Sequence, residues 1–222
     1  MKREPTGAEQ TADFVQEFLV AAIHATLHRR GLYPPEMFVA ARLFEVRVHR
    51  CRYPALCAYV SDVVSSTRPW LLDGSLKALA LCVHGPDAAL IERHVFELGL
   101  RGAASQPGGG SLPGAGELVA LQRALGEALL RHAAFDAFLQ PAPLRRATFS
   151  LVAFTSHASP DPAFKWAVEG GALPLGGGAS AVGGPPPLPR RSLTHSLDAQ
   201  RSPLMRLDVR AERPEEEARD TG

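Results

Sequence analysis

The stretch DFVQEFLVAAIHATLHRRGLYPP, residues 13–35, limits the fold more than any other part of the chain. Phe14, Phe18, Ala21, Ala22 and Ala25 recur at helical spacing, with Val15, Leu19 and Ile23 as a second apolar row beside them. Asp13 can cap the first turn, Arg29 and Arg30 suit the last, and Gly31 and Pro34 are stop signals. Apolar residues occupy more than half of the circumference, so the helix is expected inside the domain, with other elements packed around it.

The residues C-terminal to this helix must supply that packing. LFEVRVH alternates, with Phe44, Val46 and Val48 on one face and Glu45, Arg47 and His49 on the other, as in a half-buried strand. PALCAYVSDVVSS reads as a second helix starting at Pro54, with Leu56, Val60, Val63 and Val64 as its stripe, ending at Pro69. LKALALCVHGPDAALIERHVFEL predicts two strands around a Gly85-Pro86-Asp87 turn. After a low-complexity loop, 102–116, a third helix carries Leu118, Leu121, Leu125, Ala128 and Leu129 on one side, and RATFSLVAFTS returns to strand. Helices and strands are partly segregated, which favours an α+β fold over a wound βαβ sheet.

The C-terminal part differs. Trp166 stands at the edge of the Gly/Pro-rich run 170–187, which has little to build a core with. Beyond it comes one apolar alternation, Met205-Arg206-Leu207-Asp208-Val209, then an acidic tail, 212–222; residues 1–12 are polar and are expected to be disordered.

With 222 residues, 45% of them hydrophobic and 21% charged, the chain suits one soluble domain with appendages. A net charge of +1 is not that of a general phosphate binder, so work at DNA is expected to run through a protein partner, without direct sequence-specific nucleic-acid binding. Cys51, Cys57 and Cys82 form no CxxC and no even framework, as in a reducing compartment. With no apolar signal core and no run long enough for a bilayer, an intracellular protein with no membrane contact is expected.

Chemical motifs are thin. His24 and His28, four apart, could share a metal, but a third ligand is missing nearby and a plain helix face is the favoured reading. His49/Cys51 and Cys82/His84 pair an imidazole with a thiol, without the orienting group and oxyanion site that thiol catalysis needs. The glycine triplets 108–110 and 176–178 lack the helix that makes a phosphate cradle, and Arg145-Arg146 and Arg190-Arg191 read as ordinary surface pairs.

Taken in order, FVQEFLVAAIHATLHRRGLYP, VHRCRYPALCAYVSDVVSSTRPWL, ERHVFEL and ALLRHAAFDAFLQPAPLRRATFSLVAFT resemble the HORMA-domain family, with weaker matches in FKWAV and SPLMRLDVRAE. Within it the likeness is greatest to the non-catalytic accessory subunits of the translesion DNA polymerase zeta. The resemblance implies a domain over 13–211, with three main helices on a mainly antiparallel sheet. Its core would span 13–157 and a C-terminal safety belt 158–211. It implies a clamp rather than an enzyme, needing no metal or nucleotide. A peptide of the polymerase's catalytic subunit would join the sheet as an added strand, and the belt would slow its escape. Tyr59 matches an aromatic of the family's peptide groove, and Trp166 and Val168 match belt residues that cover the peptide. Leu188, Arg206, Leu207 and Asp208 fall where a scaffold translesion polymerase would dock, with Arg206 and Asp208 replacing a polar amide and an aromatic typical of the animal proteins. Gly126 occupies the position expected for a self-association arginine, with Arg123 one turn away, which bears on pairing of two HORMA domains. The implied location is the nucleus, with the cytoplasm second. The rival readings are a spindle-checkpoint, meiotic or autophagy HORMA adaptor and, more remotely, a small thiol or metal hydrolase.

If Trp166 covers the peptide, Trp166→Ala weakens capture of a proline-containing partner peptide in a calorimetric titration while the core stays folded. Unchanged affinity removes Trp166 from the clamp.

Overall fold

A computed structural model of the chain describes residues 5–100, 114–138, 147–156, 181–182, 192–195 and 204–212. Helix α1 runs Gly7–Arg29, six residues earlier than the apolar pattern predicts. Its N-cap is Thr6, in a reciprocal capping box with Glu9. Asp13 is therefore not the cap; its carboxylate pairs with Arg68. Residues 7–12, expected to be disordered, are helical, and Thr11 and Ala12 are buried. At the other end Gly31, at φ 65°, closes the helix: its N–H donates to the His28 carbonyl and that of Leu32 to the Leu27 carbonyl, a Schellman motif.

Strands β1 (Phe38–Leu43) and β2 (Val46–Cys51) form an antiparallel hairpin of their own. The alternation expected to be one strand is thus broken at Phe44-Glu45, the turn, where both residues take positive φ (47° and 62°). Such a turn matches the twist of the strands, but glycine or asparagine normally fills it. Here tertiary contacts hold it: the Phe44 ring meets Phe14 edge-on at 6.1 Å, and its backbone lies against Gly126. Helix α2 (Pro54–Ser66) matches the predicted span, whereas Pro69 opens a further short helix, α3 (Arg68–Leu72), in the first-turn position where its missing N–H costs nothing. Strands β3 (Leu76–His84) and β4 (Leu90–Leu100) form the predicted hairpin, and α4 (Ala115–Phe138) and β5 (Thr148–Thr155) come next.

The main sheet has the order β6-β5-β3-β4-β8-β7, where β6 is Ala181–Val182, β7 Ser192–His195 and β8 Met205–Glu212. All its pairings are antiparallel except β5–β6. The alternation at 205–209 is thus part of a strand reaching Glu212, one residue into the expected tail. One face of the sheet packs on the helices, with Leu79, Leu81, Val83, Phe96, Leu98, Leu151, Ala153 and Leu207 in the same core as Phe18, Leu19, Ile23, Leu121 and Leu125. Ala78, Ala80, Cys82, Val95, Val152 and Phe154 form a second buried cluster.

Polar groups buried with this core make specific contacts. Arg30 donates through Nε and Nη2 to both carboxylate oxygens of Glu92 at 2.8 Å, and His94 Nε2 lies 2.5 Å from Glu92 Oε1. Both ends of the Arg30–Glu92 pair are buried, so removing one partner alone would leave a charge in low dielectric. His132 Nε2 sits 2.8 Å from Thr26 Oγ1, joining α4 to α1.

His24 is 2% exposed, and burial, then the Arg50 charge, lower its pKa to about 4. Between that value and 6.5 the unfolded chain takes up a proton that the folded chain refuses, so this stability is complete above 6.5 and is lost as pH falls toward 4. The loss is on the order of 3 kcal/mol. Urea unfolding at neutral and acid pH is therefore expected to show a smaller acid loss for His24→Leu than for the unsubstituted chain; equal losses would exclude His24 as a source. At Gly126, an added Cβ would stand 2.7 Å from the Phe44 carbonyl oxygen. Gly126→Ala is expected to destabilise by about 1–3 kcal/mol, against the roughly 1 kcal/mol that alanine gains in an open helix. A gain in urea midpoint would mean that the hairpin gives way freely.

Candidate functional site

The two edges of the β3–β4–β5 unit are used differently. β8 pairs along β4 from Arg93↔Glu212 to Leu100↔Met205, and its Met205, Leu207, Val209 and Ala211 are buried. The outer edge of β5 meets β6 only at Phe154 and Thr155. Among the described residues no strand pairs with that edge over Thr148–Ala153, which leaves backbone groups to offer to another chain.

Beside the start of this edge is a groove of about 390 Å³ lined by Leu32, Tyr33, Tyr53, Ala55, Leu56, Tyr59, Ala147, Thr148 and Phe149. It gathers all three tyrosines of the chain. Tyr33 leaves the Schellman turn of α1 and meets the Phe149 ring edge-on at 6.1 Å. Tyr59 extends from α2 off the buried Leu56/Val60/Val63 stripe and meets Phe149 edge-on at 5.6 Å. Tyr53 precedes α2, where two thiols shape the corner: Cys51 Sγ accepts from the Tyr53 N–H at 3.3 Å, and Cys57 Sγ donates to the Cys51 carbonyl at 3.1 Å. Tyr53 and Tyr59 remain 47% and 39% exposed, enough for a ligand to cover.

Electrostatics keep the Tyr33 and Tyr59 phenols neutral. Burial raises the pKa of Tyr33, with Cys51, Tyr59 and Tyr53 adding to it. Burial also raises that of Tyr59, against a backbone hydrogen bond from Leu151 on the open strand. The groove therefore presents aromatic faces with hydroxyl tips, a surface suited to an apolar or proline-bearing side chain beside a strand that pairs through its backbone.

Tyr59 is the sequence-predicted site residue that lines this groove. Trp166, Val168 and Leu188 lie outside the described residues. Leu207 is fully buried in the core, so its side chain is not available to a docking partner; Asp208 beside it is partly exposed. Arg206 lies in β8 opposite Gly99. Arg123 is exposed on α4, 4.0 Å from Glu127. Sequence reasoning misses Tyr33, Tyr53 and Phe149, although two Tyr-Pro pairs, Tyr33-Pro34 and Tyr53-Pro54, signal aromatics held at element ends.

The imidazoles of the two imidazole and thiol pairs, His49 and His84, each contact another side chain. His28 stacks on His49 at 3.9 Å, with the pKa of each lowered, first by burial. His84 Nε2 faces Ser150 Oγ at 3.1 Å, and no cysteine is in a disulfide. Among the described residues no group of three or more His, Cys, Asp or Glu could hold a metal ion, and no helix is long and apolar enough to cross a membrane.

No protein-family model matches the chain. Curated relatives include the DNA polymerase zeta processivity subunit of Schizosaccharomyces pombe, 38% identical over 84 residues, 38% of this chain and 39% of that protein. The chain thus spans well under two thirds of that relative. The mitotic spindle assembly checkpoint protein MAD2B of Gallus gallus is 26% identical over 148 residues, 67% of each chain. Among solved structures, a chain of a mitotic checkpoint complex aligns with TM-score 0.67 and 16% identity, covering 92% of this chain and 98% of that one. C. elegans HTP-2 bound to a HIM-3 closure motif aligns with TM-score 0.55 and 14% identity, covering 92% and 90%. A sheet with one edge closed by the C-terminal strands and three main helices on its face give the chain the HORMA-domain fold, and its sequence is similar to the polymerase zeta processivity subunits and the MAD2B proteins.

Proposed function

We propose that this chain is the accessory subunit of a translesion polymerase zeta. In this role it captures a proline-containing peptide of the catalytic subunit along β5 and links that subunit to other repair factors. The observation that carries the reading is the juxtaposition of the open Thr148–Ala153 edge with the groove of Tyr33, Tyr53, Tyr59 and Phe149. Backbone pairing along the edge gives adhesion to any extended chain, and the aromatic groove selects among side chains. The belt residues Trp166 and Val168 close over the bound peptide. Its site of action is the nucleus. Docking of the scaffold polymerase falls to the surface around Leu188, Arg206 and Asp208, and self-pairing to the α4 face with Arg123.

A second reading, a spindle-checkpoint adaptor, is favoured by one further likeness: the Saccharomyces cerevisiae checkpoint component MAD2 is 29% identical over 85 residues. The peptide supplied separates the two. A peptide from the polymerase catalytic subunit is expected to bind the full chain and to protect the region after Ser156 from limited proteolysis. Tyr59→Ala is expected to weaken binding by tenfold or more, a loss of about 1.4 kcal/mol, with the thermal midpoint little changed. Selective capture of checkpoint peptides instead would favour the second reading; no protection by either would reject the clamp.

A further inference from the structure

The β1–β2 hairpin, separate in role from the tyrosine groove, concentrates charge. Residues 38–52 hold four arginines, Arg42, Arg47, Arg50 and Arg52, against one carboxylate, Glu45, in a chain whose net charge is +1. All four arginines are exposed. Pairing makes Arg42 and Arg47, five apart in sequence, direct cross-strand neighbours. Like charges opposed in this way destabilise an antiparallel pair. Glu45 relieves little of it: its contact with Arg42, at 3.2 Å, joins side chains 74% and 95% exposed, a pair of small worth in water. Alanines at 40 and 41 leave an open concavity of about 520 Å³ between the guanidinium groups, lined by Ala40, Ala41, Arg42, Glu45 and Arg47. Next to it, burial first, then Arg29 at the end of α1 and Arg47, lower the pKa of His49. The Phe44 carbonyl packed against Gly126 fixes the tip on α4, so the cations sit on a held surface.

We infer that the Arg42/Arg47 face of this hairpin is a contact surface for the phosphate backbone of nucleic acid. The guanidinium fork matches phosphate oxygens, and two facing forks can share one phosphate or bracket adjacent ones. The lining lacks the large aromatic anchors on which protein interfaces depend, so affinity here must come from charge and counterion release, which a polyphosphate supplies best. Such contact carries no sequence preference. It neither uses nor requires the peptide edge.

The test is fluorescence anisotropy of the full chain with a labelled single strand of about thirty nucleotides and the matching duplex, from low to moderate salt. Binding in the range of roughly 1–100 μM near physiological salt is expected, with log K falling against log salt at a slope of about −1.5 to −2 for two arginines. Arg42→Gln/Arg47→Gln is expected to weaken binding at least tenfold and to flatten the slope by about 1.5–2. Arg47→Gln alone should flatten it by about 1, a check that stands if the double variant fails to fold. The surface is not a nucleic-acid contact if there is no binding at low salt, if affinity ignores these substitutions, or if polyglutamate at equal charge competes as well as DNA. The last result would instead identify an acidic protein partner.

Discussion

A helix buried on almost every side cannot leave its polar groups to water, and the way α1 meets that constraint organises the domain. Its first turn is closed by the Thr6–Glu9 box and its last by the Schellman turn at Gly31. Where a charge must go inside, Arg30 commits both arms of its guanidinium to Glu92, tying the end of the helix to β4. His24 is held uncharged by the same burial. The hairpin, α2, α3 and α4 then pack around this axis, so small shifts of α1 would reach every layer.

The ion pair also ties α1 to the strand that takes up the C-terminal region. Glu92 precedes Arg93, which is where β8 ends its pairing at Glu212. One side of the sheet is thereby committed to the chain's own C-terminal strands, while β5 keeps a backbone edge that most proteins cover or blunt. Beside that edge lies a pocket made from the turn after α1, the first turns of α2 and the start of β5, the arrangement by which a rigid scaffold positions recognition residues.

Much of the architecture is legible in sequence because periodicity survives packing. The apolar rows of α1, the stripe of α2 and the Gly85-Pro86-Asp87 turn each point to the element found. Three features are not legible. The turn at Phe44-Glu45 carries no glycine or asparagine, because contacts with Phe14 and α4 hold a conformation that local preference would not choose. Pro69 reads as a stop, although proline suits a first turn as well as it ends a helix. The tyrosine groove joins residues as far apart as Tyr33 and Phe149, and no local spacing encodes a meeting made by tertiary packing. Tyr59 stands out through family resemblance, whereas its neighbours in the groove emerge only with the fold.

The short parallel contact of β6 with Phe154 and Thr155 gives the open edge a defined length. Between Thr148 and Ala153 there is room for about 20 Å of extended chain before the way is barred. The edge is therefore a ruler as well as an adhesive. A guest strand laid along it has its frame set by where β6 begins, and because side chains alternate, a shift of one residue would exchange those facing the tyrosines for those facing away.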